Sequence, residues 1–479
     1  MVPERFATIL EELAPLVERF TAAGQRLYLV GGAVRDLLVG SAHPAGDLDL
    51  TTGARPPEVK SLLRGWGDAV WTQGERFGTI GAHRTRPDGT TRTVEITTFR
   101  AESYTDESRK PHVTFADDIE ADLARRDFTI NAMALELLPG AAGSGAALID
   151  PHGGAVDLAT ATLRTPLAPE VSFDDDPLRM LRAARFIAGY GLTPVPELVD
   201  AVVERGSRLA IVSAERIRDE LDKLLLVDAP GTGLWFLVDT GLAEHFLPEL
   251  PGLRLEHDPL HRHKDVLSHT IAVIENVKRD LSGGAFDFRL TRLAALFHDI
   301  GKPRTRGYQA GKGTTFHHHD VVGARMTRRR MEALHYPSAD IAAVSELVFL
   351  HLRFHTYKMG WSDAAVRRYV RDAGSLLEEL NVLTRCDSTT RDERKAARLS
   401  RRMDELEERI GVLAEQEELA SIRPELDGRQ VMEHLGIPPG KLVGEALDHL
   451  LEIRLDEGPI GDDEAMKRLD AWWQDRRAE

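Results

Sequence analysis

Cysteine is almost absent: a single one, Cys386, stands in 479 residues. That excludes an intramolecular disulfide framework and suits a cytoplasmic setting. Long apolar runs are missing as well, and nothing approaches the roughly 20 residues that a membrane-spanning helix needs. The start, Met1-Val2-Pro3-Glu4-Arg5-Phe6, lacks the layout of a secretory signal. Positive charge is not in excess either. Asp and Glu number 77 against 61 Lys and Arg, for a net charge of −16. Such a balance argues against broad, non-specific nucleic-acid binding and leaves room for a local basic stripe. Arg325 and Arg328-Arg329-Arg330 form one candidate stripe, equally readable as a solvated helix face. No internal repeat and no long low-complexity tract is present.

What is there describes a soluble globular protein of several domains, 42% hydrophobic and 29% charged. Residues 3–24 read as an amphipathic helix with Phe6, Ile9, Leu10, Leu13 and Leu16 on one side. From 27 to about 137 the chain reads as short strands, among them Leu27–Val30, Val70-Trp71, Thr79–Ala82 and Thr93–Thr97, with a turn at Pro87-Asp88-Gly89. Beyond about 172 helical periodicity dominates. Asp176–Tyr190 and Ser213–Leu226 are strong helices, the second with Ser213 as cap. A His-rich helical region spans about 257–390, and a charged helical stretch follows.

The richest local signal is the turn Gly31-Gly32-Ala33-Val34-Arg35-Asp36 between an apolar strand and a helix. A Gly-Gly step there lets backbone N–H groups approach phosphate oxygens. Asp47-Leu48-Asp49-Leu50 follows, and strand alternation puts Asp47 and Asp49 on one face. Two such carboxylates repel unless a cation sits between them, and Mg²⁺, which shares its coordination with substrate phosphates, fits. Glu95, alternating with apolar residues in Val94-Glu95-Ile96-Thr97, is a candidate third carboxylate. In Arg125-Arg126-Asp127-Phe128-Thr129-Ile130-Asn131, Arg126 can pair with phosphate, while Asp127 and Asn131 suit ribose hydroxyls. Asp175-Asp176-Pro177-Leu178-Arg179 opens a helix with Asp176 and Arg179 on one face, able to meet the Watson–Crick edge of a base. Arg182 and Arg185 continue that side and suit a polyphosphate.

Taken in order, these elements resemble the class II tRNA nucleotidyltransferases, the CCA-adding enzymes of the polymerase-β superfamily. The resemblance runs from about Tyr28 to Leu226 through the GG-x-VRD, DxD, VEITTFR, RRDFTINAMA, D-x-x-R and ERIRDELDKLL elements. It implies an α+β fold: a small polymerase-β-like sheet domain over 1–160, then mostly α-helical parts. These are a neck over 161–230, an HD domain over 231–395 and a charged tail over 396–479. The implied metal ligands are Asp47 and Asp49, with Glu95 as the third acid. Gly31, Gly32, Arg35, Arg126, Asp127, Asn131, Asp176, Arg179, Arg182 and Arg185 would contact nucleotide. The implied partners are CTP, ATP and the tRNA 3′ end. The element that usually begins with Glu begins here with Asp175. Enzymes adding only CC and poly(A) polymerases share the scaffold. The charged segment Arg100–Asp122, with Glu102, Asp106, Glu107, Arg109, Lys110 and His112, occupies the place of the loop that CC-only members shorten.

A second signal is Leu296-Phe297-His298-Asp299-Ile300-Gly301-Lys302. With His269, His319, His351 and Asp387 it resembles the H…HD…H…H…D order of the HD phosphohydrolases, whose imidazole and carboxylate donors suit a divalent transition metal. His317 or His318 can stand in for His319. The resemblance implies phosphatase or 2′,3′-cyclic phosphodiesterase activity at this centre, which as the main activity is the alternative reading, or a scaffold that helps hold tRNA.

Overall fold

Contacts divide the chain into two units, Met1–Phe246 and Leu247–Glu479. The computed structural model describes residues 6–40, 47–86, 88–103, 112–116, 118–140, 146–255, 265–309, 313–356, 361–389, 392–417, 419 and 422–478. Asp106, Glu107, Arg109, Lys110 and Pro87, singled out in the sequence, lie outside the described residues.

The first unit contains α1 (Ala7–Ala22), β1 (Leu27–Val30), α2 (Gly32–Leu38), β2 (Leu48–Thr52), α3 (Pro56–Leu63), β3 (Ala69–Trp71), β4 (Thr79–Thr85) and β5 (Thr91–Thr98). The hairpin β6 (Arg100–Ser103) and β7 (His112–Phe115) follows, then α4 (Ile119–Ala124), β8 (Ala134–Leu137), β9 (Ala147–Ile149) and α5 (Gly154–Ala159). Seven strands form one sheet in the order β3-β4-β5-β2-β1-β8-β9. Only the β2–β5 pair is parallel.

Alternation decides which face does what. Leu48, Leu50, Val94 and Ile96 are fully buried on one face, in a core with Leu13, Phe20, Val59 and Leu63 of α1 and α3. Asp49, Glu95 and Thr97 therefore point the other way. The apolar residues read from the sequence in α1 are buried, from Phe6 to Leu16. The helix nevertheless carries Pro15 within it and ends at Ala22.

The unit continues with β10 (Thr162–Leu163), α6 (Pro169–Asp175), α7 (Leu178–Tyr190), β11 (Thr193–Pro194), α8 (Pro196–Arg205), α9 (Ala214–Leu225) and α10 (Gly231–Asp239). The helix expected from Asp176 begins two residues later. Asp176 is extended, Pro177 is the cap residue, and the Leu178 N–H donates to Asp176 Oδ1 at 3.2 Å. Ser213 does cap α9, accepting from the Arg216 N–H. α7 and α10 pack so closely that a Cβ on Gly233 would lie 2.4 Å from the Ala184 carbonyl oxygen and 2.7 Å from Leu224 Cδ1.

The second unit holds α11 (Val266–Asn276), α12 (Phe288–Phe297), α13 (Lys302–Thr305), β12 (Arg306–Gln309), β13 (Gly313–Phe316), α14 (His319–Ala333), α15 (Ser338–Leu350), α16 (Arg353–Thr356), α17 (Asp363–Ala373) and α18 (Leu377–Asp387). The β12–β13 hairpin interrupts a stretch whose sequence reads as helical; β-branched Thr314 and Thr315 favour the extended backbone of β13. α19 (Glu393–Gln416), α20 (Gly428–Leu435), α21 (Lys441–Glu457) and α22 (Asp462–Ala478) follow. α20 to α22 share a small core around Val431, Leu450 and Leu469. Glu417 is clamped between Arg367 and Arg454, at 2.7 and 2.8 Å. Among the described residues no helix is long and apolar enough to cross a membrane.

Overpacking at a helix contact costs about 1–3 kcal/mol. Gly233→Ala is therefore expected to lower the thermal transition followed by circular dichroism. A transition unchanged from wild type would show that the α7–α10 contact yields without cost.

Candidate active site and candidate metal centre

The parallel pairing of β2 with β5 sets Asp49 opposite Glu95. Asp47 stands exposed just before β2. Asp49 is exposed to the cavity, yet the protein packed around it raises its pKa; Arg126 opposes the rise, Asp47 adds to it, and Arg182 opposes it. Glu95 is raised for the same reasons, first by burial and then by Asp49 and Asp47. Asp49 and Glu95, paired on neighbouring strands with both carboxyl groups raised, offer oxygen donors that a divalent cation would favour.

Asp49 and Glu95 line a cavity of about 350 Å³. Its cationic wall comes from Arg100, Arg125, Arg126, Arg179 and Arg182, and Thr79 and Thr97 complete the floor. Acidic neighbours aim several of these arginines. Asp122 is fully buried and ion-pairs Arg125 and Arg126, each at 3.2 Å. Burial would raise its pKa, but Arg126 and Arg125 outweigh that and hold it below the ordinary value. Asp127 pairs with Arg182 at 2.6 Å. Burial again pushes the Asp127 carboxyl up, and Arg182 with Asn131 brings it down. Arg179 donates to Ser172 Oγ at 2.8 Å and to the Arg125 carbonyl. Gly31, at φ 70°, brings backbone to the cavity: a Cβ there would lie 3.1 Å from Arg126 Nη1 and 3.9 Å from Asp49 Oδ2.

The structure does not bring every expected residue to this cavity. Arg35 is buried: Nη1 donates to Asn131 Oδ1 at 2.6 Å, Nε donates to Asp36 at 2.8 Å, and the guanidinium lies 4.2 Å from the Tyr190 ring. A Cβ on Gly32 would meet this guanidinium at 3.3 Å. Asn131 passes the connection on, donating to Asp127 Oδ1 at 3.0 Å. Arg185 turns away to Glu220 at 2.9 Å. Asp176 Oδ2 accepts from Arg216 at 2.8 Å and does not line the cavity. The sequence reading missed Arg100, Arg125, Thr79, Thr97 and Asp122. Thr97 had a signal, since it is two residues from Glu95 on one strand face. Asp122 had one too, on α4 four residues before Arg126, at a spacing that brings charged side chains together.

In the second unit all six expected residues meet. His298, His319 and His351 each turn Nδ1 to the carbonyl oxygen three residues earlier, at 2.8, 2.7 and 2.6 Å. A carbonyl can only accept, so Nδ1 carries the proton and Nε2 is left as a bare donor to metal. His269 Nδ1 lies 2.8 Å from Thr389 Oγ1. The Nε2 atoms converge, with His269 to His298 at 3.3 Å and His319 to His351 at 3.2 Å. Asp299 Oδ2 is 3.2 Å from His298 Nε2, and Asp387 Oδ1 is 2.9 Å from His269 Nε2. The six fall into two triads, His269, His298 and Asp387, and Asp299, His319 and His351, each with donor atoms within 4.8 Å of one another.

Burial, with His298 adding, pushes His351 down to about 4, which keeps its imidazole neutral for ligation. Burial lowers His298, but Asp299 outweighs it and the net shift is upward. A cation would take the place of that proton. Of the three adjacent histidines, His319 is the one buried at the centre; His317 and His318 are exposed. Lys302, one turn after Asp299, reaches its Oδ2 at 2.6 Å and was not foreseen. Of the arginine stripe on α14, Arg330 pairs with Glu249 at 2.8 Å, while Arg325, Arg328 and Arg329 are exposed.

Three family models match successive parts of the chain. Residues 27–164 match the poly A polymerase head domain. Residues 191–253 match the probable RNA and SrmB-binding site of polymerase A, and 266–392 match the HD domain. An A-adding tRNA nucleotidyltransferase of Deinococcus radiodurans is 34% identical over 444 residues, covering 89% of this chain and 91% of its own length. The chain belongs to the tRNA nucleotidyltransferase family. A CCA-adding enzyme of Lactobacillus gasseri is 37% identical over 54% of this tRNA nucleotidyltransferase and 59% of its own length. The Bacillus stearothermophilus CCA-adding enzyme, solved in complex with CTP, shares the fold with a TM-score of 0.67 at 23% identity over 100% of both chains. The Thermotoga maritima CCA-adding enzyme, solved with tRNA, does so at 0.59 and 19%, over 97% of this chain and 96% of its own.

Raised carboxyl pKa values set a pH dependence. Without metal, Asp49 and Glu95 disfavour the folded state while ionised. Stability of the metal-free protein should therefore rise as pH falls through their raised values toward the ordinary carboxylate range. Added Mg²⁺ should raise the melting temperature at pH 7.5 and lose this effect at pH 5, and Asp49→Asn should abolish it. An equal Mg²⁺ response in wild type and variant would remove Asp49 from the metal site. In the second unit, Thr389→Val frees His269 Nδ1 and should weaken Mn²⁺ affinity about tenfold or more by titration calorimetry. Unchanged affinity would mean that Thr389 does not orient the ligand.

Proposed function

We propose that this tRNA nucleotidyltransferase adds C, C and A to the 3′ end of tRNA, using CTP and ATP and releasing pyrophosphate, without a nucleic-acid template. The observation that carries the reading is the cavity in which the raised Asp49–Glu95 pair faces the arginine wall. Mg²⁺ bound to Asp47 and Asp49 would lower the cost of deprotonating the 3′-hydroxyl and neutralise the leaving pyrophosphate. Arg126 and Arg182, aimed by Asp122 and Asp127, receive the triphosphate. Asp127 and Asn131 lie beside them for the ribose. Arg179 presents guanidinium donors to the base, and Asp176 joins it when Arg216 yields. Arg35 serves from behind, holding Asn131.

A second reading, addition of A alone, is favoured by the long match to the A-adding relative, which exceeds the coverage of the CCA-adding ones. The β6–β7 hairpin supports a product that includes A. The HD centre we read as a metal-dependent phosphohydrolase, supported by its converging bare Nε2 atoms.

Two transcripts test the product, one lacking the whole CCA end and one ending in CC, each with Mg²⁺ and labelled CTP or ATP. Two C and then one A on the first transcript are expected. A on the second transcript with no C on the first would establish the A-adding reading, and long A tails a poly(A) polymerase. Arg179→Ala is expected to reduce discrimination between CTP and UTP about tenfold or more. Undiminished selection in single-turnover assays would remove Arg179 from base reading.

A further inference from the structure

Between Asp299 and Asp320 this acid-rich chain contains no Asp or Glu, but it does contain Lys302, Arg304, Arg306 and Lys312. Arg304 and Arg306 are exposed and have no ion-pair partner among the described residues. Tyr308 is 70% exposed, more than any other large hydrophobic residue among those described. Arg306 and Tyr308 are two apart on β12 and share one face. Their cross-strand partners on that face are Phe316 and Thr314. The Lys302 ammonium lies 5.8 Å from the centre of the Phe316 ring and 2.6 Å from Asp299 Oδ2. The Phe316 carbonyl also accepts from His319 Nδ1. The exposed Tyr308 ring and Arg306 thus share a hairpin face whose Phe316 meets Lys302 at the edge of the candidate metal centre, and the exposed Arg304 lies on α13 just before that hairpin.

We infer that this hairpin face is a platform for a single-stranded RNA end, on which a base stacks on Tyr308 and the backbone meets Arg304 and Arg306. Lys302 then guides a terminal phosphate to the HD centre. An aromatic ring beside unpaired guanidinium groups is the equipment that holds a single strand without reading its sequence. The positive potential is local, which suits a ligand of opposite charge on a protein that otherwise repels it. The inference rests on the reading of the HD centre as a phosphohydrolase. In the hydrolysis a P–O bond forms to a water oxygen, the P–O bond to the ribose breaks, and the ribose oxygen takes a proton.

The test uses the full chain and a 5′-fluorescein-labelled oligouridylate ending in a 3′-phosphate, with binding followed by anisotropy in metal-free buffer. Tyr308→Ala should weaken binding about tenfold. Arg306→Ser should flatten the slope of log Kd against log salt by about 0.7. An iodouridine next to the terminal phosphate should crosslink within residues 304–309. Crosslinks confined to the first unit, with both variants binding as wild type does, would overturn the platform. The underlying reading is checked separately: bis(p-nitrophenyl) phosphate is offered to the wild type with Mn²⁺, Ni²⁺ or Co²⁺. No turnover with any of these would sink the phosphohydrolase while leaving the binding result to judge the hairpin.

Discussion

Electrostatic repulsion held in place by a strand register is the constraint on which the first unit depends. Leu48 to Thr52 pair in parallel with Val94 to Thr98, and the buried leucine, valine and isoleucine side chains forbid a slip of one residue. Asp49 and Glu95 are thereby fixed side by side with their carboxyl groups destabilised. Such a pair is not a stability device. It stores a preference for a cation, and the hydrophobic face behind it supplies the stability that permits the preference.

Opposite the acids, the arginine wall shows how a protein can aim positive charge with fewer buried acids than arginines, so that net positive charge is left at the cavity. Asp122 and Asp127 are buried acids held ionised by Arg125, Arg126 and Arg182, so each ion pair fixes a guanidinium at the cavity edge. Behind them runs a relay from Tyr190 and Asp36 through Arg35 to Asn131 and Asp127. The relay joins α2, the segment after α4, and α7. The Gly31–Gly32 turn and the arginines of α7 are thus parts of one hydrogen-bonded assembly.

The second unit solves a different problem by similar means. Four imidazoles can converge only if each is told which nitrogen to present, and three of them receive that instruction from the carbonyl three residues earlier in the chain. Burial then keeps His351 neutral, and Asp299 ties the two triads together.

Strand alternation and capping by themselves determined several of the sheet's strands, α9 and the carboxylates on β2 and β5, while the six residues of the HD centre were named through the resemblance in motif order. The strands and the cap are legible because alternation and capping are local in the chain. Only tertiary structure decided the rest. Arg35 and Arg185 belong by spacing with the other arginines, yet Asn131 and Glu220, far away in sequence, draw them off. Asp176 is engaged by Arg216, forty positions on. His319 was separated from His317 and His318 only by the start of α14. Which of several equivalent charged side chains faces a cavity depends on the partners packed against it, and no pattern along the chain records them.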